Sequence, residues 1–239
     1  MTDFSARAST RGALVFTAPA VPSVPVAGEH AAFPVRRIYC VGRNYVAHVK
    51  EMGGNVREPP FFFQKPSDAI VLPRNDVPFP SATQSFQHEI ELVIAVGMGG
   101  QDIAIPRAVE HVFGYAAGVD LTRRDLQLVA RNSGRPWESG KSFDHSAPIG
   151  VILRRENANI QAQSAIRLSV NRQTRQQGTL GEMIWSCNEI ISHLSALYRL
   201  EPGDLIFTGT PAGVGNLAPG DLVEGEIDGV GTVSFGVTK

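Results

Sequence analysis

The stretch Ser85 to Ala95, SFQHEIELVIA, leaves the chain few ways to fold. Side chains of an extended strand alternate between two faces, so Glu89 and Glu91 project together while Ile90, Leu92 and Ile94 project the other way. Two carboxylates placed side by side on a half-buried strand repel each other unless a cation lies close or one keeps its proton. A bound metal ion would satisfy both acids. The alternative is an exposed polar face on an amphipathic strand.

Other short apolar runs, separated by glycine and proline, extend the same β pattern. Arg36 to Gly42 reads as a strand, and the segment beginning at Asn44 reads as a short helix that exits at Gly53 and Gly54. On that helix His48 and Glu51 stand three apart and can hydrogen-bond, although this spacing also suits a surface pair. Three consecutive phenylalanines, Phe61 to Phe63, read as a buried strand. Lys65 closes that run, either as a snorkelling side chain or as a cation facing a polar site.

Val112 to Asp120 reads as an apolar strand ending on an acid, which makes Asp120 a natural third ligand. The helix expected to follow ends near Gly134. If Asp120 begins it, Arg124 and Gln127 point to one side near that acid, while an exposed helical charge is the other reading of Arg124. Arg135 to Pro148, with Trp137 and Lys141, is expected to be a loop too polar for the core. Residues from Ile166 through the NRQTRQQG turn read as a hairpin, and so does the C-terminal stretch. The segment from Thr179 to Leu200 holds the longest helical pattern, with His193 expected as a satisfied histidine within the packing. The glycine run GTPAGVG carries no GKS or GKT, so a backbone-lined anion pocket suits it better than a nucleotide loop.

Composition then removes several classes of function. A net charge of −1 gives no general reason to expect nucleic acid or an anionic membrane as partner. Cys40 and Cys187 are too few and too far apart for a disulfide framework or a zinc knuckle, and both are expected to be buried thiols. No apolar run reaches the roughly 20 residues of a membrane helix. The Arg- and Ser-containing start has Asp3 and no clear apolar core, so the expectation is a cytoplasmic protein. Residues 1–34 are expected to form an arm or edge segment, and 35–239 the catalytic domain.

Glu89, Glu91 and Asp120 are hard oxygen donors, and no thiolate or imidazole set competes with them. They suit Mg²⁺ or Mn²⁺, with Ca²⁺ as an alternative, and leave coordination positions for water and a chelating substrate. The motifs GRNYVAHVKEMG, FFFQKPSDA, HEIELVIAVG, GYAAGVDLTRRDLQ, GRPWESGKSFDHSAP and LIFTGTPAGVG, in this order, resemble the fumarylacetoacetate hydrolase family from about Arg37 to Lys239. The FDHSAP variant after KS most resembles the branch that hydrolyses fumarylpyruvate in aromatic-acid breakdown.

The resemblance implies an α+β, mainly β fold: a mixed β-sandwich roll with peripheral helices, usually a homodimer. It implies that Glu89, Glu91 and Asp120 hold the metal and that His48, paired with Glu51 on a lid helix, is the general base. It places Lys141 at the metal site against a developing enolate, and Arg124, Gln127 and Thr210 at the ketoacid end of a 2,4-diketo acid. Fumarylpyruvate would give fumarate and pyruvate, with Arg43, Lys50 or Arg135 as candidates for its distal carboxylate. The alternatives are an oxaloacetate decarboxylase, a 2-hydroxyhepta-2,4-diene-1,7-dioate isomerase, or a non-catalytic metal or ketoacid binder.

Overall fold

A computed structural model describes residues 14–47 and 58–239. His48, Lys50 and Glu51 lie outside the described residues. The chain is mainly sheet, with few helices. A six-stranded sheet runs in the order Leu153–Arg154, Val112–Val119, Ile90–Val96, Leu205–Phe207, Ile38–Gly42, Phe61–Lys65. A five-stranded sheet runs Gln173–Thr179, Ala165–Val170, Leu222–Ile227, Gly231–Thr238, Val77–Pro78. Both expected hairpins belong to the second sheet, the first turning at Asn171 and Arg172, each with positive φ.

The Ile90–Val96 strand lies inside the first sheet and is buried along its whole length. Ile90 and Leu92 pack into the core shared with the second sheet, together with Ile166, Val223 and Phe235. Val93 and Ala95, on the opposite face, pack with Ala147, Ile149 and Phe207. The strand is therefore not half-solvated as its alternation suggested, because a layer covers each face. Glu89 and Glu91 consequently enter the interior as buried charges, where a charge must find partners.

Several local expectations change for related reasons. Phe61–Lys65 is the edge strand of its sheet, so its three phenylalanines are half-buried while Lys65 is the buried residue. Asp120 does not begin a helix: Thr122–Arg123 pairs with Phe86–His88 first, and the helix spans Arg124–Asn132. The Arg135 to Pro148 stretch is not wholly solvent-side. It contains a short helix, Glu138–Lys141, and buries Lys141, Phe143, Ser146 and Ala147.

The long helix spans Cys187–Leu197 and starts at Ser186, whose side chain forms a capping box with Glu189. His193 on that helix is exposed and stands edge-on to Trp185 rather than within the core. Ser23–Pro25 and Ala32–Pro34 pair with each other and send Val24 and Phe33 into the core beside Ile38 and Leu205. Cys40 is buried and Cys187 partly so. Among the described residues no helix is long and apolar enough to cross a membrane.

Candidate metal centre and active site

Sheet register brings the acids together. Ile90 pairs with Val119, and the Asp120 N–H donates to the Glu89 carbonyl at 2.8 Å, so Glu89 and Asp120 share the next rung. Residues on one rung present side chains to the same face. Glu91, two residues along, joins them there. Its own rung partner is Gly118, where a Cβ would stand 2.6 Å from Val93 Cγ2 and 2.8 Å from Phe207 Cε1. Carboxylate oxygens of Glu89, Glu91 and Asp120 all lie within 4.8 Å of one another, and all three side chains are buried.

Three cations answer Glu89 and Asp120, while Glu91 is met by a backbone N–H. Lys141 Nζ stands 2.8 Å from Glu89 Oε2, 2.7 Å from Asp120 Oδ2 and 2.7 Å from Thr122 Oγ1, which occupies all its protons. Lys65 Nζ donates to the Leu121 carbonyl at 3.1 Å and to the Lys141 carbonyl. It also stands 2.9 Å from Asp120 Oδ1, where it acts as an ion-pair charge without a well-aligned hydrogen bond. Lys65 is thus the cation facing a polar site. Arg124 bonds Glu89 through Nη2, Gln127 Oε1 through Nη1 at 2.6 Å and Gln87 Oε1 through Nε at 2.7 Å.

Burial, followed by Asp120 and Glu89, raises the Glu91 pKa well above the carboxylate range, against the pull of Lys141 and the Gly209 N–H. Burial alone would lower the Lys141 pKa, but Asp120 and Glu89 outweigh it and the value is raised. Three hard oxygen donors within bonding reach of a common centre fit a divalent cation.

Polar groups around the acids are oriented before any substrate arrives. Gln127 lines the pocket and accepts from Arg124 through Oε1, which leaves its amide N–H groups to act as donors. Gly209, at φ 94°, directs its N–H to Glu91 Oε2 at 2.6 Å. The glycine run after Phe207 thus turns one backbone N–H toward an acid of the chain itself, Glu91. One pocket is lined by Glu89, Glu91, Asp120, Arg124, Gln127, Lys141 and Thr210 together. The described candidates for the metal, for Lys141 and for the ketoacid end therefore all meet there.

Arg131 and Arg43 line the same pocket, whereas Arg135 is exposed and does not. Arg131 lies seven residues after Arg124 and four after Gln127, the spacing of one helical face. Gln176, which holds Thr210, lies on the far sheet, and no local pattern marks it.

Residues 37–238 match the family model described as "Fumarylacetoacetate (FAA) hydrolase C-terminal". The chain is 42% identical over 180 residues to a fumarylpyruvate hydrolase of Ralstonia sp, covering 75% of this chain and 93% of that protein. It is 40% identical over 204 residues to a mitochondrial oxaloacetate tautomerase of Mus musculus, covering 85% of this chain and 92% of that one. Its fold superposes with a TM-score of 0.92 on the crystal structure of fumarylpyruvate hydrolase from Pseudomonas aeruginosa in complex with Mn²⁺ and pyruvate, at 48% identity over 95% of this chain and 99% of that one. With a family match from residue 37 to 238 and these relatives over most of its length, the chain belongs to the fumarylacetoacetate hydrolase family.

Proposed function

We propose that this enzyme is a Mg²⁺- or Mn²⁺-dependent hydrolase that cleaves the C3–C4 bond of a 2,4-diketo acid, with fumarylpyruvate as substrate and fumarate and pyruvate as products. The observation that carries the reading is the convergence of three buried carboxylates with Lys141 in one pocket, in a chain whose relatives include a fumarylpyruvate hydrolase at 42% identity. A divalent cation held by Glu89, Glu91 and Asp120 would supply an electrophile for the carboxylate and 2-keto oxygens of the diketo acid.

The protein's own groups do the rest. Gln127 and Thr210 donate to the ketoacid end, and Arg124 keeps the Gln127 amide facing it. His48 takes a proton from water, oriented by Glu51, and the resulting hydroxide adds to C4. The C3–C4 bond then breaks, its electron pair passes to C3 as the pyruvate enolate, C4 leaves as the carboxylic acid, and the proton taken up by His48 returns to C3 to complete pyruvate. Lys141 steadies that negative charge by exchanging one of its three present bonds toward the substrate. The unit acting in this way is a homodimer.

A second reading, interconversion or decarboxylation of oxaloacetate, is favoured by the 40% identical oxaloacetate tautomerase. It uses the same chelate and enolate but needs no activated water. Purified protein with Mn²⁺ is expected to convert fumarylpyruvate to fumarate and pyruvate, and to lose that activity in EDTA and in His48→Ala. Consumption of oxaloacetate alone, with acylpyruvates left intact, would reject the hydrolase reading in favour of the second.

A further inference from the structure

Resting on the acylpyruvate reading, we propose that Arg43 and Arg131 form an anion subsite for a second, distal carboxylate of the substrate, making the enzyme selective for dicarboxylic acylpyruvates. Both side chains line the pocket that holds the acids. Two of the acids already have cations: Glu89 is bonded by Arg124 and Lys141, and Asp120 by Lys141 and Lys65. The ion pair of Arg43 is with Glu58 instead, at 3.8 Å, and that glutamate is 60% exposed, so it holds the guanidinium weakly. Two guanidiniums facing one cavity repel each other, and an anion between them converts the repulsion into charge-assisted hydrogen bonds. Burial and then Arg131 lower the Arg43 pKa, with Glu58 opposing, as expected for a cation held partly out of water beside a like charge.

The position of Arg43 is built in. Its φ is 60°, an uncommon conformation for a side chain with a Cβ. The next residue, Asn44, is fully buried and clamps the turn by donating to the Trp185 and Thr208 carbonyls at 2.9 and 2.7 Å and accepting from the Trp185 N–H at 2.7 Å. The preceding residue, Gly42, lies under the Phe61 ring, and the Arg43 guanidinium lies 5.8 Å from the centre of that ring. Trp137 packs edge-on against Phe61 at 5.0 Å and also lines the pocket, which gives the space near the arginines an apolar wall suited to a flat conjugated acyl chain.

The test compares fumarylpyruvate with acetylpyruvate, which shares the ketoacid end and lacks the terminal carboxylate, on the full-length wild type and on Arg131→Gln, Arg43→Lys and Arg43→Leu. With Mn²⁺ present, the ratio of kcat/KM for fumarylpyruvate over acetylpyruvate is expected to fall roughly ten- to hundredfold in Arg131→Gln and Arg43→Leu, the size of a lost hydrogen bond to a charged group. Arg43→Lys, which keeps the charge but not the fork, is expected to recover part of the ratio. Equal losses on both compounds, or none, overturn the subsite. Dissociation constants for both compounds are measured in parallel by ligand-induced thermal shift. A wild type that binds fumarylpyruvate more tightly yet cleaves neither compound defeats the hydrolase reading, and the variants' loss of that preference still supports the subsite. A wild type that binds the two equally overturns the subsite even if both are cleaved.

Discussion

Gln176 Nε2 donates to Thr210 Oγ1 at 2.8 Å and to the Pro211 carbonyl at 2.9 Å, while its Oε1 accepts from the Ile90 N–H at 3.1 Å. A carbonyl can only accept and a backbone N–H only donate, so the amide has one orientation here. Thr210 therefore accepts from Gln176 and turns its own proton elsewhere. His88 Nδ1, 2.9 Å from the same Oε1, must carry the proton, and its buried Nε2 has no hydrogen-bond partner among the described residues.

Gln176→Leu removes the amide and strands several buried polar groups at once. Stability is expected to fall by about 1–3 kcal/mol, the cost of an unsatisfied buried group, measured by urea denaturation. If Gln176 also aligns the Thr210 hydroxyl, adding Thr210→Val to Gln176→Leu will lower acylpyruvate turnover less than Thr210→Val does in the wild type. Equal effects in the two backgrounds would reduce Gln176 to a packing role.

A divalent cation held by the acids would compete with Lys65 for one carboxylate, that of Asp120. Removing the ammonium in Lys65→Met leaves Asp120 with one cation fewer and unpairs two carbonyls, so the metal-free protein is expected to lose about 3–5 kcal/mol, the cost of breaking a buried ion pair. The same change makes the acid cluster more negative. Titration calorimetry with Mn²⁺ should therefore show tighter binding to Lys65→Met than to wild type, and added Mn²⁺ should restore part of the lost stability. Weaker binding would contradict the competition.

Gly209 holds Glu91 through its N–H, and its φ of 94° disfavours any Cβ. In Gly209→Ala the new methyl would stand 2.6 Å from Asn44 Cβ. Destabilisation of more than about 1 kcal/mol is expected, because Ala is forced into a positive-φ conformation. Mn²⁺ affinity should fall with it as Glu91 loses its anchor. An unchanged melting temperature together with unchanged affinity would show that the loop yields freely.

The Cys187 thiol is pushed up to about 12, chiefly by burial. In the unfolded chain it ionises near its ordinary value, so between about pH 9 and 12 the unfolded state binds fewer protons than the folded one. Stability is full below that window and declines as pH rises through it, by at most about 1.4 kcal/mol per pH unit for this thiol. Denaturation curves of wild type and Cys187→Ala between pH 8.5 and 10.5 should separate by this slope. Parallel curves would mean that the folded thiol ionises as readily as the unfolded one.

The acids and their grouping are legible from local chain geometry, because strand alternation places Glu89 and Glu91 on one face and an apolar run delivers Asp120 to a strand end. The sequence also marked Lys65 as unusual and placed Arg124 and Gln127 on one side of a helix, and its motifs carried the family and, through that resemblance, pointed to Lys141. Those are statements about neighbours along the chain, where bond geometry decides. Long-range packing is what covers both faces of the Ile90–Val96 strand, buries Lys65 while the phenylalanines before it lie on a sheet edge, and leaves His193 outside. Packing fixed the rest as well. Gln176 reaches Thr210 from another sheet, and Arg43 and Arg131, far apart in sequence, line one cavity. Contacts of that kind depend on how layers close over one another, and no local periodicity encodes them.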